Sequence, residues 1–170
     1  MPAVPTVPSR RKTREFVLQV LFAADAQGKD PEDVLKLLEG HFASEDEEAP
    51  QLQRVMQDFA QELVAAVAAD RDLIDEVIRR LSLHWKLYRM SRVDRNILRM
   101  AIAEMTHFPD IPGRVTLNEA IDLGKKYGAE NSATFINGIL DRIHVLRNAP
   151  DPAETINDIL ARLDESNPTG

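Results

Sequence analysis

The thirty residues from Arg114 to Ile143, RVTLNEAIDLGKKYGAENSATFINGILDRI, restrict this chain more than any other stretch. Thr116-Leu117-Asn118-Glu119 fits a capping box, in which a hydroxyl caps a helix start and a carboxylate three residues on reaches back. Leu117, Ile121 and Gly124 follow on one helical face. Gly128 is placed to end that helix, because glycine reaches the left-handed conformation used by C-terminal caps. A second helix is expected from Asn131 or Ser132, with Phe135, Ile136, Ile139, Leu140 and Ile143 forming a stripe wide enough for a core. Gly124 and Gly138 lie inside these helices, where glycine costs about 1 kcal/mol against alanine, so both suggest closely packed backbones. The stretch reads as a capped helical hairpin at the centre of a bundle.

The same periodicity recurs along the chain, and no alternating segment competes with it. A first helix runs from Ser9 to about Gln27, stopped by Gly28. Phe16, Val17, Val20, Leu21 and Ala24 gather on a core arc. Arg11, Arg14, Leu18 and Phe22 fall on a second stripe, which either faces outward or packs Leu18 and Phe22 on another helix. Asp30-Pro31 opens a helix to about Phe42 with Val34, Leu37 and Leu38 inward, proline suiting the first helical position. An acidic loop at 44–50 precedes a helix carrying Leu52, Val55, Met56, Phe59 and Leu63. Asp70 is a possible cap for a further helix with Leu73, Ile74, Val77, Ile78 and Leu81; two helices and one bent rod both fit. Leu83 to Met90, with Trp85 and Leu87, reads as a connector on the core. Ser91 to His107 forms the next helix, with Ser91-x-x-Asp94 at its start and Val93, Ile97, Leu98, Ala101, Ile102 and Met105 inward. After Ala149-Pro150-Asp151-Pro152, the residues Ile156, Ile159, Leu160 and Leu163 make either a tail or a small covering helix. The expected organisation is an arm at 1–8, a helical domain at 9–148 and an acidic tail at 149–170.

Composition narrows the class. No apolar run approaches the ~18 residues of a membrane span, and the N-terminus MPAVPTVPSRRK lacks the hydrophobic centre of a signal peptide. With no cysteine there is neither a disulfide framework nor a thiolate metal site, and a cytoplasmic location is expected. His41, His84, His107 and His144 lack ligand spacing, and no P-loop, G-x-S-x-G or dinucleotide turn occurs. No catalytic residue, metal or cofactor is therefore expected.

The net charge of −7 is uneven. Glu45-Asp46-Glu47-Glu48 and the tail hold most of the excess acid, while Arg10, Arg11, Lys12 and Arg14 form a basic patch at a helix start. Cations there oppose the macrodipole by about 0.3–1 kcal/mol each. A helix N-terminus with added cations suits phosphate instead. At the hairpin turn, Lys125, Lys126 and Tyr127 precede Asn131 and Phe135, interleaving basic and aromatic groups of the kind that commonly stack and bond single-stranded RNA bases. Core packing is the competing account of the two rings.

The segments VTLNEAIDLGKKYG, S..FINGILD, RVDRNILRMAIAEM (Arg92 to Met105) and SRRKTREFVLQVLF (Ser9 to Phe22) stand in the order and spacing that resemble the NusB family of transcription antitermination factors. The resemblance covers Ser9 to about Ile143; the acidic middle matches poorly. It implies an all-α fold of about seven helices in two small helical-bundle subdomains. It implies binding of boxA-type single-stranded RNA in ribosomal leader transcripts, together with the ribosomal small-subunit protein NusE, and indirect association with NusA, NusG and RNA polymerase. The basic helix start then contributes to RNA binding, and Phe22 and Asp94 match partner-binding positions, Leu18 being added from the stripe. Asn131 stands where relatives often carry aspartate. A related helical domain fused to ribosomal RNA cytosine methyltransferases, and a scaffold that binds protein alone, are the alternatives. The former requires a large nucleotide-cofactor domain after the helical one.

Overall fold

The computed structural model describes residues 10–42, 50–82 and 90–166. Among them are seven helices and no strand: α1 (Arg10–Gln27), α2 (Pro31–Phe42), α3 (Pro50–Leu81), α4 (Arg92–His107), α5 (Gly113–Tyr127), α6 (Ser132–Arg147) and α7 (Ile156–Ser166). The proline-rich arm, the acidic loop, the Trp85 connector with His84, and the side chains of His41 and Leu52 lie outside the described residues.

Local chemistry sets most helix ends. Gly28 stops α1 at φ 62°, the left-handed region, while Lys29 N–H donates to the Ala24 carbonyl at 2.9 Å; glycine reaches this conformation without steric cost. Asp30 Oδ1 accepts from Glu32 N–H at 2.8 Å and opens α2. Ser91 caps α4, its hydroxyl accepting from Asp94 N–H at 3.1 Å. The reciprocal box expected at Thr116 forms instead at α7. There, Asp158 N–H donates to Thr155 Oγ1 at 3.1 Å and Thr155 N–H donates to Asp158 Oδ2 at 2.9 Å.

The start of α5 differs from the sequence expectation. Proline fixes its own φ, and the Pro112 carbonyl accepts from Val115 N–H at 2.9 Å, so α5 begins at Gly113. Thr116 is consequently inside the helix and buried, its hydroxyl unpartnered among the described residues. Gly128 ends α5 but in extended backbone, φ −89° and ψ −173°, not left-handed. Its glycine identity answers to space: a Cβ there would lie 2.4 Å from Ser132 Oγ and 2.7 Å from the Gly124 carbonyl. Gly124 does mark a close helix approach, since a Cβ would meet Ile136 Cδ1 at 2.8 Å. Gly138 does not; it is exposed with open space around its Cα.

The long α3 is one bent rod, leaving helical backbone at Asp70 (φ −110°, ψ 15°). The Asp70 carboxylate meets His107 Nε2 at 2.6 Å, tying the bend to the end of α4. α1 and α2 pack on α3, and α4, α5 and α6 form a second group, with α3 and α4 joining the two. One apolar core runs through both, including Leu63, Ile74, Ile78, Ile97, Leu98, Ile102, Ile136 and Leu140. Burying each such side chain is worth about 1.5–3 kcal/mol. On α2 Val34 and Leu35 are inward, Leu38 is partly buried against the core and Leu37 is exposed; on α3 Val55 is exposed rather than inward. α7 packs on α3 and α6 through Ile156 and Ile159, so the second of the two readings of that segment holds.

Candidate nucleic-acid interface

The basic start of α1 splits into groups of unlike accessibility. Arg11 is half-exposed and lies across α5: its Nε donates to Glu119 Oε2 at 3.1 Å, and its Nη2 donates to Glu119 Oε1 at 3.1 Å and Asp122 Oδ2 at 2.8 Å. The Glu119 hydrogen bond and charge raise its pKa further. Arg10 sets its guanidinium over the Phe59 ring at 5.1 Å, a cation–π contact. Lys12 is exposed and makes no ion pair among the described residues.

Arg14 departs from expectation. It is 3% exposed, and its Nε donates to both carboxylate oxygens of Glu104 on α4 at 3.0 and 3.1 Å, with Nη2 donating to the same carboxylate. Glu104 is equally buried. α4 crosses α1 here and encloses the stripe that periodicity alone leaves facing outward. Removing one partner of such a buried pair costs about 3–5 kcal/mol, because the other charge remains without compensation. Arg14 is therefore part of the core and closed to a phosphate.

The end of α5 lies alongside α1. Lys126 Nζ donates to Glu15 Oε1 at 2.8 Å and sits 5.3 Å from the Tyr127 ring centre; the Glu15 bond, foremost, raises its pKa. Lys125 and Tyr127 are exposed. In the following turn Ala129 N–H donates to Ser132 Oγ at 2.8 Å. Asn131 is exposed at the α6 start, where its carbonyl accepts from Phe135 N–H and its side chain makes no cap bond. Phe135 is partly buried and packs against the core. The contacts of Arg11 with Asp122 and of Lys126 with Glu15 thus join Arg11, Lys12, Lys125, Lys126 and Tyr127 into one strip over α1 and α5. On the other side of Arg10, a groove of about 720 Å³ along α3 carries Asp58, Glu62 and Asp110. Those carboxylates disfavour a phosphate path in that direction.

The far end of α1 holds the expected partner residues. Phe22 is 39% exposed, and Arg92 stands over its ring at 5.9 Å. Leu18 is buried, a second departure from the outward stripe. Asp94 is buried too, and its Oδ1 has no partner among the described residues. Beside them lies a cluster the sequence reading missed. Arg95 donates to Asp25 Oδ2 at 2.6 Å, Asn96 donates to the same oxygen at 3.0 Å, and Arg71, Arg92 and Arg99 surround this carboxylate at 3.4–3.7 Å. Burial alone would raise the Asp25 pKa, but the Arg95 and Asn96 bonds and the surrounding charge hold it below the ordinary value. Arginines at 92, 95 and 99 share a helical face, the one signal in the sequence that pointed here.

Among the described residues, no group of three or more His, Asp or Glu is arranged to hold a metal. No helix described is long and apolar enough to cross a membrane.

Comparison with known proteins places these surfaces in context. The model of the NusB family matches residues 11–145. The transcription antitermination protein NusB of Geotalea uraniireducens (strain Rf4) is 47% identical over 135 residues, covering 79% of this chain and 93% of that protein. The NusB of Myxococcus xanthus (strain DK1622) is 41% identical over 142 residues, covering 84% and 99%. Among solved structures, NusB of T. maritima superposes with a TM-score of 0.69 at 36% identity, covering 80% of this chain and 90% of that one. A chain from a complex of antitermination factors NusB and NusE with double-stranded RNA gives 0.65 at 25% identity, covering 79% and 95%.

Proposed function

The chain belongs to the NusB family, and from that premise we propose that it is a transcription antitermination factor that binds boxA-type single-stranded RNA together with NusE. This complex then associates with NusA, NusG and RNA polymerase in the cytoplasm. The protein works by binding and assembly, making and breaking no bond. The observation that carries this reading is similarity to antitermination proteins over nearly their whole length.

RNA lies along the α1–α5 strip, with Arg10, Arg11, Lys12, Lys125 and Lys126 on phosphates and Tyr127 and Asn131 on bases; Phe135 supports the turn from below. Arg14 acts indirectly, by fixing α1 on α4. NusE docks at the other end of α1 on Phe22 and the α4 start at Asp94, with Leu18 supporting Phe22 from inside. Phenylalanine at 22 makes this contact by apolar burial, without a phenolic hydroxyl. Residues 9–148 carry both surfaces, and α7 covers the core beyond them.

Titration of boxA-type RNA with and without the same organism's NusE tests the reading. RNA affinity is expected to rise when NusE is present. A protein that binds NusE but no RNA, with or without NusE, would instead be a protein-only scaffold.

A further inference from the structure

The cluster around Asp25 is unbalanced in charge. Four guanidiniums, from Arg71, Arg92, Arg95 and Arg99, share two carboxylates, Asp25 and Asp75. Asp75 is taken by Arg99 at 2.7 and 2.8 Å. Asp25 Oδ2 already accepts from Arg95 Nε at 3.2 Å, Arg95 Nη2 at 2.6 Å and Asn96 Nδ2 at 3.0 Å. Arg71 and Arg92 each stop 3.7 Å from this carboxylate, beyond hydrogen-bond distance. Their side chains are 42% and 44% exposed. A guanidinium carries five N–H donors in a planar fork, so both residues present donors outward from a cluster with surplus positive charge.

We propose that Arg71 and Arg92 form a clasp for a carboxylate side chain of the docked protein partner, beside the Phe22 anchor. This rests on the reading of that face as the NusE-binding surface. Aromatic residues and arginine are enriched at protein interfaces, and here Arg92 stands over the exposed Phe22 ring; guanidinium forks match carboxylate geometry bidentately. Two arguments favour a protein carboxylate over an RNA phosphate. The site holds Asp25 and Asp75, whose negative charge opposes a continuous polyanion but leaves room for a single carboxylate. It also lies fifteen residues along α1 from Arg10, roughly 22 Å at 1.5 Å per residue, away from the basic strip. Apolar contact at Phe22 thus supplies affinity while the clasp sets orientation and partner choice.

The test uses the full chain and NusE of the same organism, with binding followed by calorimetry at low and moderate salt. The double variant R71E/R92E is expected to lose at least tenfold in NusE affinity and much of its salt dependence, while affinity for boxA-type RNA alone stays unchanged. R71Q/R92Q is expected to lose less, with an unchanged thermal melt that excludes misfolding. Unchanged NusE affinity in both folded variants would overturn the clasp and leave the proposed function intact. Lost RNA affinity with NusE binding retained would make the site a phosphate site and also overturn it. If the unmodified protein fails to bind NusE, the functional reading falls first and the clasp with it.

Discussion

The two ends of α1 use arginine in opposite ways. At the start, the paired cations each hold at least one carboxylate: Arg11 has Glu119 and Asp122, Arg14 has Glu104, and Lys126 has Glu15, while Arg10, Lys12 and Lys125 make no ion pair among the described residues. At the end, four guanidiniums compete for Asp25 and Asp75. A ligand at the start must exchange with carboxylates already in place to reach Arg11 or Lys126, whereas a ligand at the end meets two guanidiniums of the cluster still open. The difference teaches that an arginine's position in the sequence says little about its availability. What decides is the number of carboxylates the neighbouring helices bring.

The largest effect is expected where exchange is impossible. Arg14→Ala leaves Glu104 buried and unpaired, at a cost of about 3–5 kcal/mol read as a fall in denaturation midpoint. Arg14→Met with Glu104→Leu removes both charges and should recover most of that loss. If Arg14→Ala alone leaves the midpoint unchanged, the pair is not the closed lock between α1 and α4 described above.

Much of this was legible in the sequence. The helical character of each segment, the cap at Ser91 and the close approach at Gly124 follow from spacing and residue type. The count of about seven helices comes from the resemblance, since spacing leaves both the bend at Asp70 and the last segment open. Arg14 and Leu18 were misread for one physical reason: α1 touches α2, α3 and α4, so two arcs of it are buried, and a single-stripe argument leaves one of them in solvent. The reverse error occurred on α2. This helix packs mainly on α1 and α3, and its contact takes Val34 and Leu35 while leaving Leu37 outside. The α5 start was misplaced because Thr116 and Glu119 have capping-box spacing but engage elsewhere, Glu119 binding Arg11 across 108 residues. The Asp25 cluster needs three elements to meet; the spacing of Arg92, Arg95 and Arg99 marks one face of α4 but not the Asp25 and Arg71 that it meets.

At the open end of α1, Phe22→Asp should reduce NusE affinity by about 2 kcal/mol or more, roughly thirtyfold, by placing a charge in a desolvated apolar contact. RNA affinity in the absence of NusE should not move. Calorimetry with each ligand in turn checks both statements, and a folded variant that keeps NusE affinity would remove Phe22 from the docking face.

At the start of α1, the pairing carboxylates should act against RNA. Asp122→Asn with Glu15→Gln removes one of the two carboxylates on Arg11, leaving Glu119, and the one on Lys126, so RNA affinity at low salt should rise about two- to tenfold. The log–log salt dependence should steepen, each added phosphate contact contributing a slope of about −0.7. Arg11→Ala should flatten it by the same amount. If the acid-removing variants bind RNA no better, then Arg11 and Lys126 remain with α5 and α1 in the complex, and the phosphates are met by Arg10, Lys12 and Lys125.

The smallest effect belongs to Asn131, exposed at the turn between α5 and α6 with no side-chain cap bond. A neutral amide can donate to a base or accept from it, and it adds no charge to the strip formed by Lys125, Lys126 and Tyr127. Asn131→Asp adds one negative charge at a helix N-terminus, which should favour α6 by about 0.3–1 kcal/mol through the macrodipole. Intrinsic capping changes little, since Asn and Asp serve about equally there. The same charge should repel phosphate and lower RNA affinity by a factor of about two to five at low salt, with the loss fading near 0.15 M as the screening length shortens to about 8 Å. Stability and affinity therefore move in opposite directions for this one substitution, which separates it from any variant that weakens RNA by loosening the fold. Melting the two proteins and titrating each with RNA at two salt concentrations measures both. Equal RNA affinity at low salt, alongside the expected rise in stability, would take the turn off the binding strip and leave recognition to α1 and α5.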